Sequence, residues 1–279
     1  MKARAAAASH GPITERSETP AARPWIEVLP SGEALMRAAA TRFVAAAAGA
    51  IGARGRFAVA LSGGSTPRGL YALLATEAFA RQVDWSGVHV FWSDERCVPP
   101  DDPASNQRMA REVLLDRVPI PAANIHPIHG QDRPAAAAAA CERDLRALFG
   151  TPAGPPRFGP GACFDLVLLG LGADGHTASL FPGGSALRER AAWALAQRVA
   201  AETPWRVTLT PPVINAAAEV VFLVRGPAKA ATLRRALEGP AVPEDLPARA
   251  ISPHPGRLFW LADAEAAAEL APAPVKGKP

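Results

Sequence analysis

The residues of this sequence best suited to chemistry lie in the stretch GLGADGHTASLF (170–181), directly after the apolar run FDLVLL. It carries a carboxylate and an imidazole two residues apart, Asp174 and His176. Open α/β sheets bind ligands at the carboxyl ends of their strands, which is where this pair is predicted to lie. A short helix predicted after Gly175 favours the neutral imidazole, whereas the neighbouring carboxylate favours the protonated one. We therefore expect His176 to accept a proton at neutral pH, as a general base must.

The same stretch also spells G-x-G-x-x-G, the fingerprint of a dinucleotide-binding loop, through Gly170, Gly172 and Gly175. A dinucleotide site needs a full helix after the glycines and an acidic residue about 20 positions later. Here Pro182 ends any helix early, the residues around position 195 read ALAQRV, and Asp174 brings a negative charge close to the diphosphate. We expect no nucleotide cofactor.

A second stretch, LSGGSTPRGLY (61–71), has the composition of a phosphate-binding loop. Gly63 and Gly64 let backbone N–H groups approach an anion, Ser65 and Thr66 add hydroxyl donors, and a helix beginning at Pro67 favours negative charge. The alternative is an ordinary strand-to-helix turn, which uses the same residue types. No lysine follows the glycines, so the loop is not a Walker motif.

Further charged residues lie next to predicted strands or at the start of a predicted helix. Asp94, Glu95 and Arg96 come directly after VHVFW, and Arg206 opens RVTLT. Lys229 lies at the start of the helix after Pro227. The two cations are able to close over a phosphate held by the glycine loop. The alternative for each of these residues is a solvated surface charge.

Metal and covalent chemistry are not expected. His126 and His129 form an H-x-x-H pattern, but Pro127 breaks the helix that would align them. The three cysteines lie far apart and have no zinc-site spacing, which indicates a reducing, cytoplasmic compartment. The residues therefore predict acid–base catalysis on a small phosphorylated molecule, with water as reactant and no cofactor or metal.

Composition supports a globular protein of 279 residues, 49% hydrophobic and 20% charged. The net charge of +4 comes from scattered arginines, so we expect no nucleic-acid partner. No stretch has the continuous apolar run of a membrane span, and the N-terminus lacks the hydrophobic residues of a signal peptide. We expect no membrane partner.

Strand-like and helix-like segments alternate along the chain, which predicts an α/β fold with a mainly parallel sheet and helices on both faces. The expected strands are 25–29, 56–62, 88–92, 164–170, 206–210, 220–224 and 257–261. The expected helices follow Ser31, Pro67, Gly175 and Pro227, and cover about 104–117, 134–149 and 211–217. We predict a disordered extension over 1–24, one catalytic domain over 25–271, and a flexible tail over 272–279.

The motifs, in this order, resemble the 6-phosphogluconolactonase family. The matching pieces span about residues 57–237 and read LSGGSTPRGLY, WSDERCVP, SNQRMAREVLL, NIHPI, FDLVLLGLGADGHTASLFPG, RVTLTPPVINAA and FLVRGPAKAATL. The resemblance implies a Rossmann-like fold and hydrolysis of 6-phosphogluconolactone to 6-phosphogluconate in the oxidative pentose phosphate pathway. It also implies a small phosphorylated sugar lactone as the partner. We expect a monomer or small homo-oligomer.

The resemblance implies roles for the residues that match its motifs. The substrate phosphate would be bound by Gly63, Gly64, Ser65, Thr66, Arg206 and Lys229. His176 would activate water against the lactone carbonyl, and Asp174 would help to position it. Asp94 and Arg96 would lie near the lactone ring, with Arg96 stabilising the developing oxyanion.

Two alternatives remain open at this point. Glucosamine-6-phosphate deaminases resembling this chain read D-G-H-I-A-F-N-E-P-G, but their glutamate is Phe181 here, and the aromatic of their M-D-E-Y is Arg96. A non-catalytic sugar-phosphate sensor would keep the phosphate loop. It would need a DNA-binding segment, for which residues 1–24 are too short, and it has no need of Asp174 together with His176.

Overall fold

The computed structural model describes residues 24–151, 154, 156, 162–240 and 242–271. The expected N-terminal extension, apart from Pro24, and the expected tail over 272–279 lie outside the described residues. The single catalytic domain over 25–271 stays a prediction.

Nine strands and seven α-helices lie in the described part of the chain. The strands are β1 (Trp25–Leu29), β2 (Phe57–Leu61), β3 (Val88–Trp92), β4 (Asp94–Arg96), β5 (Leu166–Leu169), β6 (Ala194–Gln197), β7 (Arg206–Leu209), β8 (Glu219–Val224) and β9 (Arg257–Asp263). The helices are α1 (Gly32–Arg54), α2 (Ser65–Leu74), α3 (Glu77–Ala80), α4 (Asn106–Val113), α5 (Pro134–Phe149), α6 (Pro211–Asn215) and α7 (Ala230–Glu238).

Six strands form one parallel sheet in the order β1-β9-β8-β5-β2-β3. Its inner strands β2, β5 and β8 are buried along their whole length, as the continuous apolar runs in the sequence predict. Helices flank this sheet, and α1 contacts β9 and α2. The α/β, mainly parallel, Rossmann-like fold is confirmed.

A second sheet departs from the sequence prediction. RVTLT (206–210) was expected as one more strand of the α/β alternation, but β7 joins a three-stranded antiparallel sheet in the order β4-β7-β6. The short strands β4 and β6 were not expected. Ser93 joins the two sheets, because its N–H donates to Leu61 O and its carbonyl accepts from Leu209 N.

The helix expected after Gly175 is absent from the structure. Thr177 and Leu180 instead form an isolated antiparallel bridge, and Ala178 adopts φ 46°, outside the helical region. The expected helix over 104–117 is also shorter as an α-helix, because a 3-10 turn over Leu115–Arg117 follows α4.

Helix α1 begins as predicted at Ser31, whose side chain accepts from Ala34 N at 3.2 Å. By length and composition alone α1 is apolar enough to cross a membrane, contrary to the sequence expectation. The core helix of a soluble protein has the same length and composition. One face of α1, including Leu35 and Phe43, is buried in the hydrophobic core.

Glu95 fixes α4 to the small sheet. Its carboxylate accepts hydrogen bonds from the backbone N–H groups of Arg96, Asn106 and Gln107, at 2.7 to 2.9 Å, and from the Ser105 hydroxyl at 3.0 Å. Burial raises the pKa of Glu95, and the three backbone N–H groups oppose that effect. Glu95 therefore organises the segment that connects β4 to α4.

We expect Glu95→Ala to lower the free energy of unfolding by about 3 kcal/mol, because it leaves several buried donors without an acceptor. Urea denaturation measures this. Glu112→Ala is the matched control, because the Glu112 side chain makes an exposed i,i+4 pair with Arg108, whose loss costs at most about 0.5 kcal/mol. Equal losses in both variants would contradict the role of Glu95.

Candidate active site

A cavity of about 300 Å³ lies at the carboxyl edge of the parallel sheet. The loops after four adjacent strands, β8, β5, β2 and β3, reach it. It contains nine of the ten predicted site residues, namely Gly63, Gly64, Ser65, Thr66, Asp94, Arg96, His176, Arg206 and Lys229. The tenth, Asp174, contacts His176. A larger groove of about 1040 Å³ runs along α1 and holds none of these residues.

His176 and Asp174 form a close pair. Asp174 Oδ1 lies 2.5 Å from His176 Nδ1 and also accepts from the His176 backbone N–H at 3.1 Å. With Nδ1 as the donor, Nε2 carries the lone pair that accepts a proton. The Asp174 side chain is half exposed. Partial burial raises the pKa of Asp174, but the hydrogen bonds from His176 outweigh that effect and hold this pKa below its ordinary value.

Gly172 makes room for this pair. A Cβ at position 172 would overlap the His176 imidazole and press on Asp174 Oδ1. Gly175 adopts φ +86°, and a Cβ there would overlap Leu246. Two glycines of the G-x-G-x-x-G pattern are therefore required by packing and by backbone conformation around the His–Asp pair.

The predicted helix-dipole effect on His176 does not apply, because no helix begins after Gly175. Tertiary hydrogen bonds hold the loop instead. Thr177 Oγ1 donates to Gly170 O at 2.9 Å, Thr232 Oγ1 donates to Ala173 O at 2.8 Å, and Ala248 N donates to Gly175 O at 3.0 Å. Asp174 is the charged group that orients His176.

The GGST loop leads into α2 as expected. Gly64 has φ +105°, a backbone conformation that residues with a side chain rarely adopt. Ser65 is the first residue of the ten-residue helix. Tyr71, fully buried, anchors the loop by accepting from Ser62 N at 2.9 Å and donating to Ser62 O at 2.8 Å. The helix N-terminus therefore opens toward the cavity in a fixed position, as anion binding requires.

Arg96 and Arg206 lie directly opposite each other in the antiparallel pair of β4 and β7. Like charges in that position are destabilising. Both Nε atoms are buried without a hydrogen-bond partner in the described part of the structure. Burial lowers the pKa of Arg206, Asp94 opposes this, and Arg96 adds to it. Two guanidinium groups that line one cavity form a site suited to an anion.

Asp94 is nearly buried, with 5% of its surface exposed. Its Oδ2 accepts from Ser179 Oγ at 2.6 Å and lies 3.7 Å from Arg206 NH1. Asn106 Nδ2 donates to the Asp94 carbonyl at 2.9 Å and lies 3.4 Å from Oδ1. This network connects the His176 loop, the small sheet and α4.

Lys229 lies in a 3-10 turn, Pro227–Lys229, after β8. It lines the same cavity as Arg206 and the GGST loop, as the sequence predicts.

Several contributors to the site escaped the sequence prediction, namely Ser179, Asn106 and Tyr71, together with the contacts of Phe181. The Phe181 ring lies 4.7 Å from the His176 ring and 5.5 Å from the Arg206 guanidinium, between centres. Ser179 and Phe181 lie within the motif that holds His176, so their closeness in sequence was an available signal. Asn106 and Tyr71 act through tertiary contacts that spacing does not reveal.

Other candidate groups lie apart from the cavity. His89 Nδ1 is 3.1 Å from His126 Nε2, and burial lowers the pKa of both rings. Among the described residues no group of three or more His, Cys, Asp or Glu side chains is placed to hold a metal ion. Burial raises the pKa of Cys97 to about 11, so its thiol is protonated at neutral pH.

These features define a Rossmann-like α/β protein whose cavity brings together an imidazole and two guanidinium groups. The family model described as "Glucosamine-6-phosphate isomerases/6-phosphogluconolactonase" matches residues 30–260, and the chain belongs to this family. The 6-phosphogluconolactonase of Nostoc sp. is 43% identical over 246 residues, covering 88% of this chain and 98% of that protein. The structure of 6-phosphogluconolactonase from Trypanosoma cruzi superposes with a TM-score of 0.77 at 30% identity, covering 90% and 98% of the two chains.

The structure of a monomeric glucosamine-6-phosphate deaminase also superposes, with a TM-score of 0.73 at 21% identity, covering 88% of this chain and 99% of that one. This likeness shows a shared fold.

We expect Gly172→Ala to reduce the kcat of the reaction proposed below by about 100-fold, because the added methyl group displaces the His176 ring from Asp174. Steady-state kinetics measures the loss. Gly52→Ala, within α1 and with open space around it, is the control and should leave kcat unchanged. Full activity in the Gly172 variant would show that the ring position is not critical.

Asp174→Asn should lower kcat by about 100-fold or more, because an amide does not stabilise the imidazolium. Because the pKa of Asp174 is depressed on folding, its carboxylate stabilises the fold above about pH 4, and this contribution is lost as the pH falls through the folded pKa. The Tm difference between wild type and variant should therefore shrink below about pH 4. A difference independent of pH would contradict the ion-pair role.

Proposed function

We propose that this protein hydrolyses 6-phosphogluconolactone to 6-phosphogluconate, the lactone-opening step of the oxidative pentose phosphate pathway. The observation that carries the proposal is one cavity that is lined by both the Asp174-oriented His176 and the guanidinium groups of Arg96 and Arg206. Family membership and the relatives named 6-phosphogluconolactonase support it. The three free cysteines are in keeping with a cytoplasmic location.

His176 acts as the general base in the proposed mechanism. Its Nε2 removes a proton from water while the water oxygen bonds to the lactone carbonyl carbon. Asp174 stabilises the resulting imidazolium through Nδ1. The tetrahedral intermediate then expels the ring oxygen, which takes the proton from His176. Ring opening leaves a carboxylic acid that ionises in water.

The phosphate group anchors the substrate in this proposal. The residues proposed to bind it are Gly63, Gly64, Ser65, Thr66, Arg206 and Lys229. Backbone N–H groups at the start of α2 and the two cations complement its charge. Arg96 stabilises the oxyanion, a contribution of about 3 kcal/mol for a well-placed donor. Asp94 positions this side of the cavity through Arg206.

The deaminase alternative is disfavoured by the contacts of Phe181. Where that enzyme's motif has a glutamate, this chain packs an aromatic ring against His176 and Arg206. Opening a sugar ring needs that acid–base group, whereas a lactone is already an ester and is opened by water.

The test is hydrolysis of freshly generated 6-phosphogluconolactone, followed through a coupled NADP-dependent dehydrogenase after subtraction of the spontaneous rate. We expect rapid turnover by the wild type and a loss of about 100- to 10,000-fold in His176→Ala. His129→Ala, an exposed histidine outside the cavity, is the control and should retain full activity.

A fully active His176→Ala variant would contradict the assigned base and leave the lactonase proposal standing. An inactive wild type would overturn the lactonase proposal. Ammonia release from glucosamine 6-phosphate would then identify a deaminase, and ligand binding without turnover would identify a sensor.

A further inference from the structure

Ser179 connects the His176 loop to every strand of the small sheet. It lies three residues after His176 and is fully buried. Its N–H donates to Thr208 Oγ1 on β7 at 3.2 Å, its carbonyl accepts from Gln197 Nε2 on β6, and its hydroxyl donates to Asp94 Oδ2 on β4 at 2.6 Å. Only the last of these bonds depends on the serine side chain.

The oxygen that Ser179 binds is also the one that faces Arg206. Asp94 Oδ2 lies 3.7 Å from Arg206 NH1, well beyond a hydrogen bond, while the serine hydroxyl is 2.6 Å away. Asp94 is on the same face of β4 as Arg96, which lies opposite Arg206. Asp94 is thus a carboxylate in contact with Arg206, and its nearest partner is the serine hydroxyl.

We propose that Ser179 is a positioning residue that keeps Asp94 from forming a close ion pair with Arg206. A bidentate pair with Asp94 would satisfy the guanidinium donors and cancel its charge. With Asp94 Oδ2 held by Ser179, Arg206, which lines the cavity, keeps its charge available to an anion there. The inference rests on the proposed function for the identity of that anion, the phosphate group of the substrate.

Removing the hydroxyl should weaken anion binding and leave the chemical step intact. In Ser179→Ala, Asp94 Oδ2 loses its nearest donor and Arg206 becomes its best remaining partner. We expect binding of phosphate-bearing ligands to weaken about tenfold, the typical effect of one hydrogen bond to a charged group. KM should rise by a similar factor, while kcat stays within about twofold because His176 and Asp174 keep their contacts.

Calorimetric titration with inorganic phosphate and with 6-phosphogluconate measures the binding. Ser93→Ala is the matched control, because Ser93 is equally buried, adjoins Asp94 in sequence and has a hydroxyl without a hydrogen-bond partner in the described residues. Its Kd should equal that of the wild type. Ser179→Cys, with a weak donor of similar size, should bind with intermediate affinity. Thermal melting checks that each variant is folded.

A double-mutant cycle with Asp94→Asn separates the proposed role from general support of the loop. In Asp94→Asn, position 94 has no negative charge to compete with the anion for Arg206. Adding Ser179→Ala to this variant should therefore not weaken binding further. A loss of equal size in both backgrounds would overturn the proposal. So would unchanged affinity in Ser179→Ala, or a wild type that binds neither ligand.

The outcomes also separate this inference from the proposed function. A wild type that hydrolyses the lactone, with unchanged KM in Ser179→Ala, overturns the role of Ser179 and leaves the lactonase intact. A wild type without hydrolysis whose phosphate affinity follows the predicted cycle overturns the lactonase and supports Ser179.

Discussion

Parallel hydrogen bonding of β8, β5, β2 and β3 brings four strand ends to the same edge of one sheet. Each of the four loops that follow these strands contributes a different chemical group: a cation after β8, the His–Asp pair after β5, backbone donors after β2, and a carboxylate after β3. The buried strands fix these starting points, so the loops need little regular structure of their own. The cavity depends on this convergence.

The small antiparallel sheet adds what the parallel sheet does not provide, a pair of adjacent guanidinium groups. Placing Arg96 opposite Arg206 has an electrostatic cost that the fold tolerates with Asp94 nearby. Partly buried charges of like sign at an open cavity are typical of sites whose ligand supplies the missing opposite charge. Ser93 connects this sheet to the parallel one and Ser179 connects it to the His176 loop, so the arginine pair and His176 share one framework.

The elements predicted well from sequence were those with strong local signals. Continuous apolar runs marked β2, β5 and β8, and the glycine, serine and histidine motifs that follow strands marked the site. The small sheet could not be predicted, because β4 and β6 have three and four residues and owe their pairing to distant partners. The prediction of a helix after Gly175 was wrong for a related reason. Contacts from Thr232 and Ala248, remote in sequence, set the conformation of that loop.

His176 and the GGST loop are carried by different strands of a rigid sheet, and this gives the cavity a built-in length scale. β5 and β2 are direct neighbours, so the separation between His176 and the start of α2 follows from strand spacing. Whether a ligand fits then depends on the distance between its phosphate and its reacting carbon. Selectivity among sugar phosphates can then arise from distance, without a separate contact for every hydroxyl group.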